Sequence, residues 1–250
     1  MIFEIDYGNT RLKWRLLKIN NSEVIARGVV NQLQELVPSL QSAGRISLDF
    51  CRVCSVRSND DNAALTSLIS ETYGVAVEYA RSTKSLGGVT NGYLEAGKLG
   101  VDRWLAVVAA YVSTQAPCVV IDSGTAITVD YINAGGVHLG GCIAPGFSQM
   151  ASMLKNSTQL RVDLDSAVNV GHACLARDTQ AALYSGIRAM VSGFIKEQLL
   201  CAQAELGASF AVVCAGGDSG FICDVAADAV VDEDLVFTGL AIACPYVVQR

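Results

Sequence analysis

The segment FEIDYGNTRLKW, residues 3–14, places residue types that suit phosphate chemistry directly after an apolar run. Gly8 permits a sharp turn and lets backbone N–H groups come close to a ligand. Asn9 and Thr10 add neutral hydrogen-bond donors, and Lys13 adds one mobile positive charge. The same residues also suit an ordinary β-hairpin turn with Lys13 on a solvated strand face. One copy of the pattern leaves both interpretations open.

Asp6 precedes this turn and does not suit direct contact with phosphate, because two anions repel each other. A carboxylate can act beside phosphate through a cation, as a ligand of Mg²⁺ or of a water molecule on Mg²⁺. If the turn handles phosphate, Asp6 therefore predicts a metal.

A second copy of the pattern carries its acid at Asp122, 116 positions after the first acid. CVVIDSGTAITVDYIN (118–133) repeats the apolar strand, acid, glycine and turn of IFEIDYGNTRLKWRLL (2–17). Gly124 repeats the close backbone approach, and Thr125 supplies a hydroxyl for another face of a phosphate. Two such turns favour nucleotide binding over two unrelated hairpins.

Strand and helix patterns follow each turn and predict two α/β lobes of similar topology, residues 1–113 and 114–250. Apolar residues at helical spacing predict a long helix over 179–207, with a glycine as its stop. Another helix is expected within 94–115, with Asp102 in its first turn, where a helix favours an anion.

The charge balance limits the classes of partner. A net charge of −6 and a pI near 4.9 argue against a nucleic-acid-binding protein, because no basic face is available for a phosphate backbone. The N-terminus has no basic leader, and the apolar run 104–112 is shorter than the roughly 20 residues of a membrane helix. We expect a cytoplasmic protein that binds neither nucleic acid nor membrane.

Nine cysteines without an export signal predict reduced, mostly buried thiols rather than a disulfide framework. Cys51 and Cys54 form a CxxC pair that suits half of a zinc or redox site, but no second pair or HxxxH completes it. His138 and His172 lack Cys or His partners at metal spacing, so we expect structural roles for both.

Further motifs follow along the chain: NGY (91–93), GVDR (100–103), HLGGCIAPG (138–146), DTQAALYSG (178–186) and AGGD (215–218). Together with DYGNTRLKW and VIDSGTAIT they resemble the type III pantothenate kinase family almost from end to end. That family belongs to the actin-like ATPase superfamily. The resemblance implies an α/β fold of duplicated actin-like (ribonuclease H-like) domains with an active-site cleft between them.

The resemblance implies ATP-dependent phosphorylation of pantothenate to 4′-phosphopantothenate, the first step of coenzyme A biosynthesis. Asp102 resembles the family's general base for the primary hydroxyl of pantothenate, and Arg103 can pair with the substrate carboxylate by a forked contact. Without the other motifs, these two would be a helix-terminal charge and a surface cation. Tyr93 and Thr179 resemble pantothenate-contacting residues; a buried aromatic and a helix N-cap are the structural alternatives, and Thr179 suits both roles.

The resemblance also assigns contacts and cations. The implied nucleotide contacts are Asp6, Tyr7, Gly8, Asn9, Thr10, Arg11, Leu12, Lys13 and Thr125. The implied substrate contacts are Tyr93, Gly100, Val101, Asp102, Arg103 and Thr179. Loops on the nucleotide side are matched by Gly140, Gly141, Pro145, Gly146, Gly216 and Gly217, for which ordinary turn geometry is the structural alternative. Asp122 is implied as the ligand of a monovalent cation, K⁺ or NH₄⁺, in addition to ATP and the Mg²⁺ expected at Asp6.

A homodimer is implied as well, and the segment LKNSTQ (154–159) stands where relatives often carry a basic or histidine residue that reaches the neighbouring subunit's site. Two other functions stay open: another small-molecule kinase of the actin-like superfamily, and an ATP-binding regulatory accessory factor without turnover. Tyr93, Arg103 and Thr179 suit a carboxylate-bearing, amide-bearing acceptor, which favours pantothenate over other acceptors. An intact Asp102 argues against the regulator, because a sensor needs no base.

Overall fold

A computed structural model describes residues 1–158 and 175–247 of the chain. The strands are β1 (Ile2–Tyr7), β2 (Leu12–Leu17), β3 (Val24–Val30), β4 (Phe50–Ser55), β5 (Val77–Tyr79), β6 (Ser85–Leu86), β7 (Val89–Thr90), β8 (Cys118–Ser123), β9 (Ala126–Ile132), β10 (His138–Pro145), β11 (Ala211–Ala215) and β12 (Val230–Val231). The helices are α1 (Leu36–Gln41), α2 (Asn59–Tyr73), α3 (Val101–Thr114), α4 (Phe147–Ser157), α5 (Thr179–Leu206), α6 (Ser219–Val225) and α7 (Leu235–Ala243), with 3₁₀ turns at Leu33–Glu35 and Ala96–Lys98.

The two main sheets have the same topology. One has the order β3-β2-β1-β4-β5 and the other β10-β9-β8-β11-β12. In each, the first three strands in sequence pair antiparallel, the fourth pairs in parallel with the first, and the fifth pairs in parallel with the fourth. The predicted pair of α/β lobes with similar topology is therefore confirmed.

The chain divides into two compact units. Unit 1 contains Met1–Ser113 together with the segment that begins at Asp234, and unit 2 is Thr114–Glu233. The sequence-based domains share the division after residue 113 but differ in assigning the last segment to the second domain. That segment returns to unit 1 because α7 is apolar and packs against β1 and β4.

Each unit has its own core on one face of its sheet. In unit 1, Phe3 and Ile5 of β1 face buried residues of α1 and α2, such as Leu36 and Leu65. In unit 2, the buried face of β8 and β9 meets α4, α5 and α6. Because successive strand residues point to opposite faces, the alternate residues of β1 and β8, including Asp6 and Asp122, lie on the other face.

The other face of the first sheet carries a buried charge cluster. Glu4 accepts hydrogen bonds from Arg15 on β2 and Arg52 on β4, and all three side chains are buried. Gly239 brings α7 onto the backbone of α3, where an added Cβ would overlap Leu105. Among the described residues, none of the helices combines the length and the apolarity needed to cross a membrane.

Candidate active site

The first phosphate motif forms a tight β-hairpin. Its turn joins β1 to β2, and the Gly8 N–H donates to the Arg11 carbonyl oxygen at 3.1 Å. Asn9, Thr10 and Arg11 are exposed at the tip. The hairpin predicted from the sequence is thus confirmed, and it presents the polar groups of the motif outward; their contact with a nucleotide stays a prediction.

Asp6 lies one residue before the end of β1, beside two cross-strand neighbours. The sheet register pairs it with Lys13 on β2 and with Cys54 on β4. Burial, and then the charges of Asp6 and Asp102 together with a hydrogen bond to Asp6, raise the pKa of the Cys54 thiol well above its usual value. The thiol therefore stays protonated, and Asp6 and Asp102 both lie close enough to Cys54 for their charges to act on its thiol.

The GVDR segment starts helix α3 as expected. Asp102 lies in the first turn, and its Oδ1 accepts the N–H of Arg103 at 2.8 Å. A Cβ at Gly100 would stand 2.7 Å from that oxygen, so this position favours glycine. Val101 is the first residue of the helix. The segment therefore holds a carboxylate in one orientation at a helix N-terminus, where the helix dipole favours its anionic form.

Arg103 and Tyr93 are brought together. The Arg103 Nη1 donates to the Tyr93 Oη at 2.9 Å, and the guanidinium carbon lies 5.8 Å from the centre of the tyrosine ring. Arg103 is buried and Tyr93 is half-buried. This arrangement excludes the expected structural alternative for Arg103, a surface cation, because its stem is enclosed and its head is oriented by a neighbour.

Asn91 is a positioning residue to which the sequence analysis gave no role. Its Oδ1 accepts the Tyr93 N–H at 3.0 Å, while its Nδ2 donates to the carbonyl oxygens of Thr83 and Ala96 at 3.1 and 3.2 Å. The side chain is buried, and buried amides are normally satisfied in this way. Asn91 thereby shapes the loop that presents Tyr93. Its position in the NGY motif, two residues before Tyr93, is the sequence feature that could have indicated this role.

The second hairpin repeats the first in unit 2. Asp122 of β8 pairs with Thr128 on β9 and with Ala215 on β11. The turn is closed by hydrogen bonds from the Gly124 N–H to Ala126 O and from the Gly146 N–H to Thr125 O, both 3.0 Å long. Asp122 is half-buried and Thr125 is exposed.

Two of the matched loop glycines are required by close backbone packing at this hairpin. A Cβ at Gly146 would overlap the Gly124 carbonyl oxygen, and one at Gly216 would overlap Ser123 O and approach Asp122 Oδ1. Gly216 also has a φ of +89°, which favours glycine. Gly140, with a φ of +112°, lies instead at a register irregularity in β10 and has open space around it, so its backbone conformation and not close packing favours glycine there.

Thr179 is not the N-cap of the long helix, so that part of the prediction was wrong. The cap is Asp178, whose Oδ1 accepts the Ala181 N–H at 2.8 Å. A carboxylate satisfies the same N–H group as a hydroxyl and also gains from the helix dipole. Thr179 is the first helical residue, and its contact with substrate stays a prediction. The end of the helix before Gly207 is confirmed.

The remaining metal candidates behave as structural residues. Cys51 and Cys54 are both buried and free, and their spacing along one strand points them to opposite faces. His138 is buried with its Nε2 2.8 Å from Asp130 Oδ1, whereas His172 lies outside the described residues. In residues 1–158 and 175–247, no group of three or more His, Cys, Asp or Glu side chains is placed to hold a metal. Of the segment 154–159, residues 154–157 end α4 and residue 159 is outside the described part.

Comparisons with known proteins find similar sequences over nearly the whole chain. A family model described as type III pantothenate kinase matches residues 2–200. A type III pantothenate kinase from Pseudomonas savastanoi pv. phaseolicola is 42% identical over 248 residues, which cover 98% of this chain and 99% of the relative.

Solved structures support the same fold at low identity. A protein described as a Baf family transcriptional activator from Campylobacter jejuni has a TM-score of 0.57 at 19% identity, covering 95% of this chain and 94% of that one. The activator of 2-hydroxyisocaproyl-CoA dehydratase from Clostridium difficile, solved with ADPNP, has a TM-score of 0.51 at 14% identity, with 97% and 92% covered. The duplicated actin-like fold expected from the motifs is confirmed, and the chain belongs to the type III pantothenate kinase family.

Proposed function

We propose that this chain transfers the γ-phosphate of ATP to the primary hydroxyl of pantothenate, with Asp102 and Arg103 as the residues that orient and activate the acceptor. The observation that carries the residue assignment is the start of α3, where a fixed carboxylate and an enclosed guanidinium stand on consecutive residues. The family membership of the chain supports the reaction.

Asp102 acts as the general base in this proposal. Phosphoryl transfer depends mainly on positioning and charge stabilisation, so the base needs a fixed orientation more than great strength. The hydrogen bond from the Arg103 N–H holds one oxygen of Asp102, and the first turn of α3 stabilises the anion. The carboxylate would accept the hydroxyl proton as the hydroxyl oxygen attacks the γ-phosphorus, while the bond from that phosphorus to the bridging oxygen breaks and ADP leaves.

Arg103 anchors the pantothenate carboxylate. Guanidinium groups bind carboxylates by paired hydrogen bonds, which fix direction as well as charge. The Tyr93 hydroxyl holds one Nη of Arg103, and Asn91 holds the backbone of Tyr93. Tyr93 and Thr179 are proposed to contact the rest of the acceptor, beside Gly100 and Val101.

The first hairpin is proposed to bind ATP phosphates with Mg²⁺. Asp6 supplies one carboxylate, directly or through water, and Lys13 stands beside it in the sheet register. Mg²⁺ is commonly held by one or two carboxylates together with waters and substrate phosphates, so the donor set fits the ion. When bound, the ion would neutralise charge on the phosphates. Tyr7, Gly8, Asn9, Thr10, Arg11 and Leu12 form the surrounding motif.

Asp122 is proposed as the ligand of a monovalent cation, K⁺ or NH₄⁺, with Thr125 toward the nucleotide. Gly216 leaves the Asp122 carboxylate accessible from β11, where any larger residue would fill the space around Oδ1. Carboxylate oxygens can coordinate K⁺ and can accept hydrogen bonds from NH₄⁺. The ion would offset the charge of the acid when bound.

A homodimer in the cytoplasm is the remaining part of the proposal. β10 is the edge strand of the second sheet and exposes Leu139 and Ile143, and α4, which follows it, exposes Met153 and Leu154. A long apolar edge strand is normally covered by a partner. We propose a second copy of this chain as that partner. The cytoplasm is proposed as the compartment because ATP, the substrate, is available there. Analytical ultracentrifugation tests the dimer.

A coupled ADP-release assay tests the reaction. The purified protein is supplied with ATP, Mg²⁺ and pantothenate, first with K⁺ and then with Na⁺. Absence of pantothenate-dependent ADP would refute the proposed function. Equal turnover with both cations would remove only the role of Asp122.

A further inference from the structure

Arg57 contacts the first hairpin from outside the motif. It follows β4 and precedes α2, and its Nη1 donates to the Asn9 carbonyl oxygen at 3.1 Å. Its guanidinium carbon also lies 5.4 Å from the centre of the Tyr7 ring. One side chain therefore holds both the tip of the hairpin and the residue at which β1 ends.

Arg57 is itself fixed from the side of α2. Its Nε donates to Asp61 Oδ2 at 3.1 Å, and its backbone N–H donates to Ser55 Oγ at 3.2 Å. Asp61 is oriented in turn by Ser58, the N-cap of α2, whose hydroxyl donates to Asp61 Oδ2 at 2.8 Å. The hydrogen bond from Ser58, and then that from Arg57, lower the pKa of Asp61, so it is anionic at neutral pH. The guanidinium is thus placed by the first turn of a 15-residue helix.

The contact with Asn9 constrains the phosphate motif through the geometry of the peptide. A trans peptide is planar, so the Asn9 carbonyl and the Thr10 N–H point in opposite directions. Holding the carbonyl fixes the direction of that N–H. The Gly8–Arg11 hydrogen bond is a second contact that shapes the exposed tip. Arg57 also places a guanidinium, paired with Asp61 on its far side, beside a motif expected to meet phosphate.

We infer that Arg57 is a positioning residue for ATP binding, which holds the Asn9–Thr10 peptide of the first hairpin in its nucleotide-binding orientation. The inference rests on the proposed function in that the hairpin is taken as the ATP phosphate site. It does not depend on the identity of the acceptor.

The test is a graded set of variants. Arg57→Ala removes the side-chain contacts with Asn9, Tyr7 and Asp61. Arg57→Lys keeps the positive charge, but an ammonium group lacks the forked guanidinium that contacts Asn9 and Asp61 at once. Asp61→Asn keeps Arg57 and removes the charge that orients it. Arg45→Ala is the charge-matched control: Arg45 is exposed and lies before β4, at the end of the strand away from Arg57.

Two quantities are measured for each variant of the full chain: the Kd of Mg·ATP by calorimetry without pantothenate, and the KM values for both substrates by ADP release. Loss of a hydrogen bond from a charged donor, about 1.4 kcal/mol, corresponds to about a tenfold change in affinity. We expect Arg57→Ala to raise the Kd and KM for ATP roughly tenfold and to leave the KM for pantothenate nearly unchanged. Arg57→Lys and Asp61→Asn should fall between it and the wild type.

Several results would overturn the inference. These are an unchanged ATP affinity in Arg57→Ala, an equal rise in both KM values, or an effect matched by Arg45→Ala. If Arg57→Ala does not fold, Arg57→Lys and Asp61→Asn decide by the same ATP measurements. A wild-type protein that binds ATP without pantothenate turnover would refute the proposed function while the Kd series still tests Arg57. A wild type that does not bind ATP would overturn both.

Discussion

Replacement of Glu4 by glutamine is expected to destabilise unit 1 strongly. Glu4 is fully buried in the middle of β1, between Arg15 and Arg52. These two arginine residues are only 8% and 6% exposed. Each arginine also binds α7 or its flanks. Arg15 Nη1 lies 3.0 Å from Asp234 Oδ2, and Arg52 Nη1 donates to Cys244 O at 2.8 Å. The carboxylate therefore balances two buried cations that fasten the last helix to the sheet.

The size of the effect follows from burial. Glutamine preserves the shape of the side chain and one acceptor oxygen, but it leaves two guanidinium groups enclosed opposite a neutral amide. Breaking a buried ion pair by removing one partner costs about 3–5 kcal/mol. Here the uncompensated charge is that of Arg52, which keeps carbonyl contacts such as that with Cys244, whereas Arg15 keeps Asp234. Arg27→Gln is the matched control. It breaks the exposed pair of Arg27 with Asp234, where a cost of less than about 1 kcal/mol is expected.

Urea denaturation followed by tryptophan fluorescence measures the free energy of unfolding of unit 1 selectively. The chain has two tryptophans, Trp14 and Trp104, and both are buried in unit 1. With a slope of about 2 kcal/mol per M urea, Glu4→Gln should lower the midpoint by about 1.5–2.5 M. A shift below about 0.5 M, or one equal to that of Arg27→Gln, would refute the assignment of Glu4 as the charge that balances the two arginines.

Three further predictions concern the site and the thiols. Asp102→Asn should lower turnover roughly 10²- to 10⁴-fold with the fold retained, as measured by ADP release and circular dichroism; near wild-type turnover would remove Asp102 from the role of base. Arg103→Ala should raise the KM for pantothenate on the order of tenfold or more with a smaller change in kcat, because a carboxylate anchor acts in ground and transition state alike; an effect confined to the KM for ATP would contradict it. Burial raises the pKa of the Cys51 thiol to about 12, whereas Cys142 and Cys201 are exposed. At pH 8, the fast phase of the reaction with a thiol reagent should therefore lose one equivalent in the Cys201→Ser variant, whereas Cys142 lies on β10, the strand proposed to be covered by a second copy. An unchanged fast phase would show that the Cys201 thiol is covered.

The two hairpins could be predicted from the sequence because each combines strand alternation with turn residues in a short local segment. The start of α3 was equally local, since Gly100 and Asp102 carry the signals of a helix N-terminus. The cap of α5 shows the limit of such signals. Asp178 and Thr179 are adjacent and both cap well, and only the backbone position of the helix start decides between them.

Contacts between distant segments could not be predicted in the same way. Glu4 meets Arg15 and Arg52, which are 11 and 48 positions away, and only the sheet register brings them together. The same register places Cys54 beside Asp6. Arg57 gave no local signal either, because its partner Asn9 is 48 positions earlier in the chain.

The discontinuity of unit 1 has a consequence for biosynthesis. The chain leaves unit 1 after Ser113 and returns to it at Asp234, so the whole of unit 2 is translated between the two parts. At the usual rate of synthesis this takes about ten seconds. During that time α7 has not been made, and the part of the first sheet that it packs against, on β1 and β4, stays uncovered. We therefore expect unit 2 to complete its folding first, although its synthesis begins later, and unit 1 to close only when the last helix leaves the ribosome.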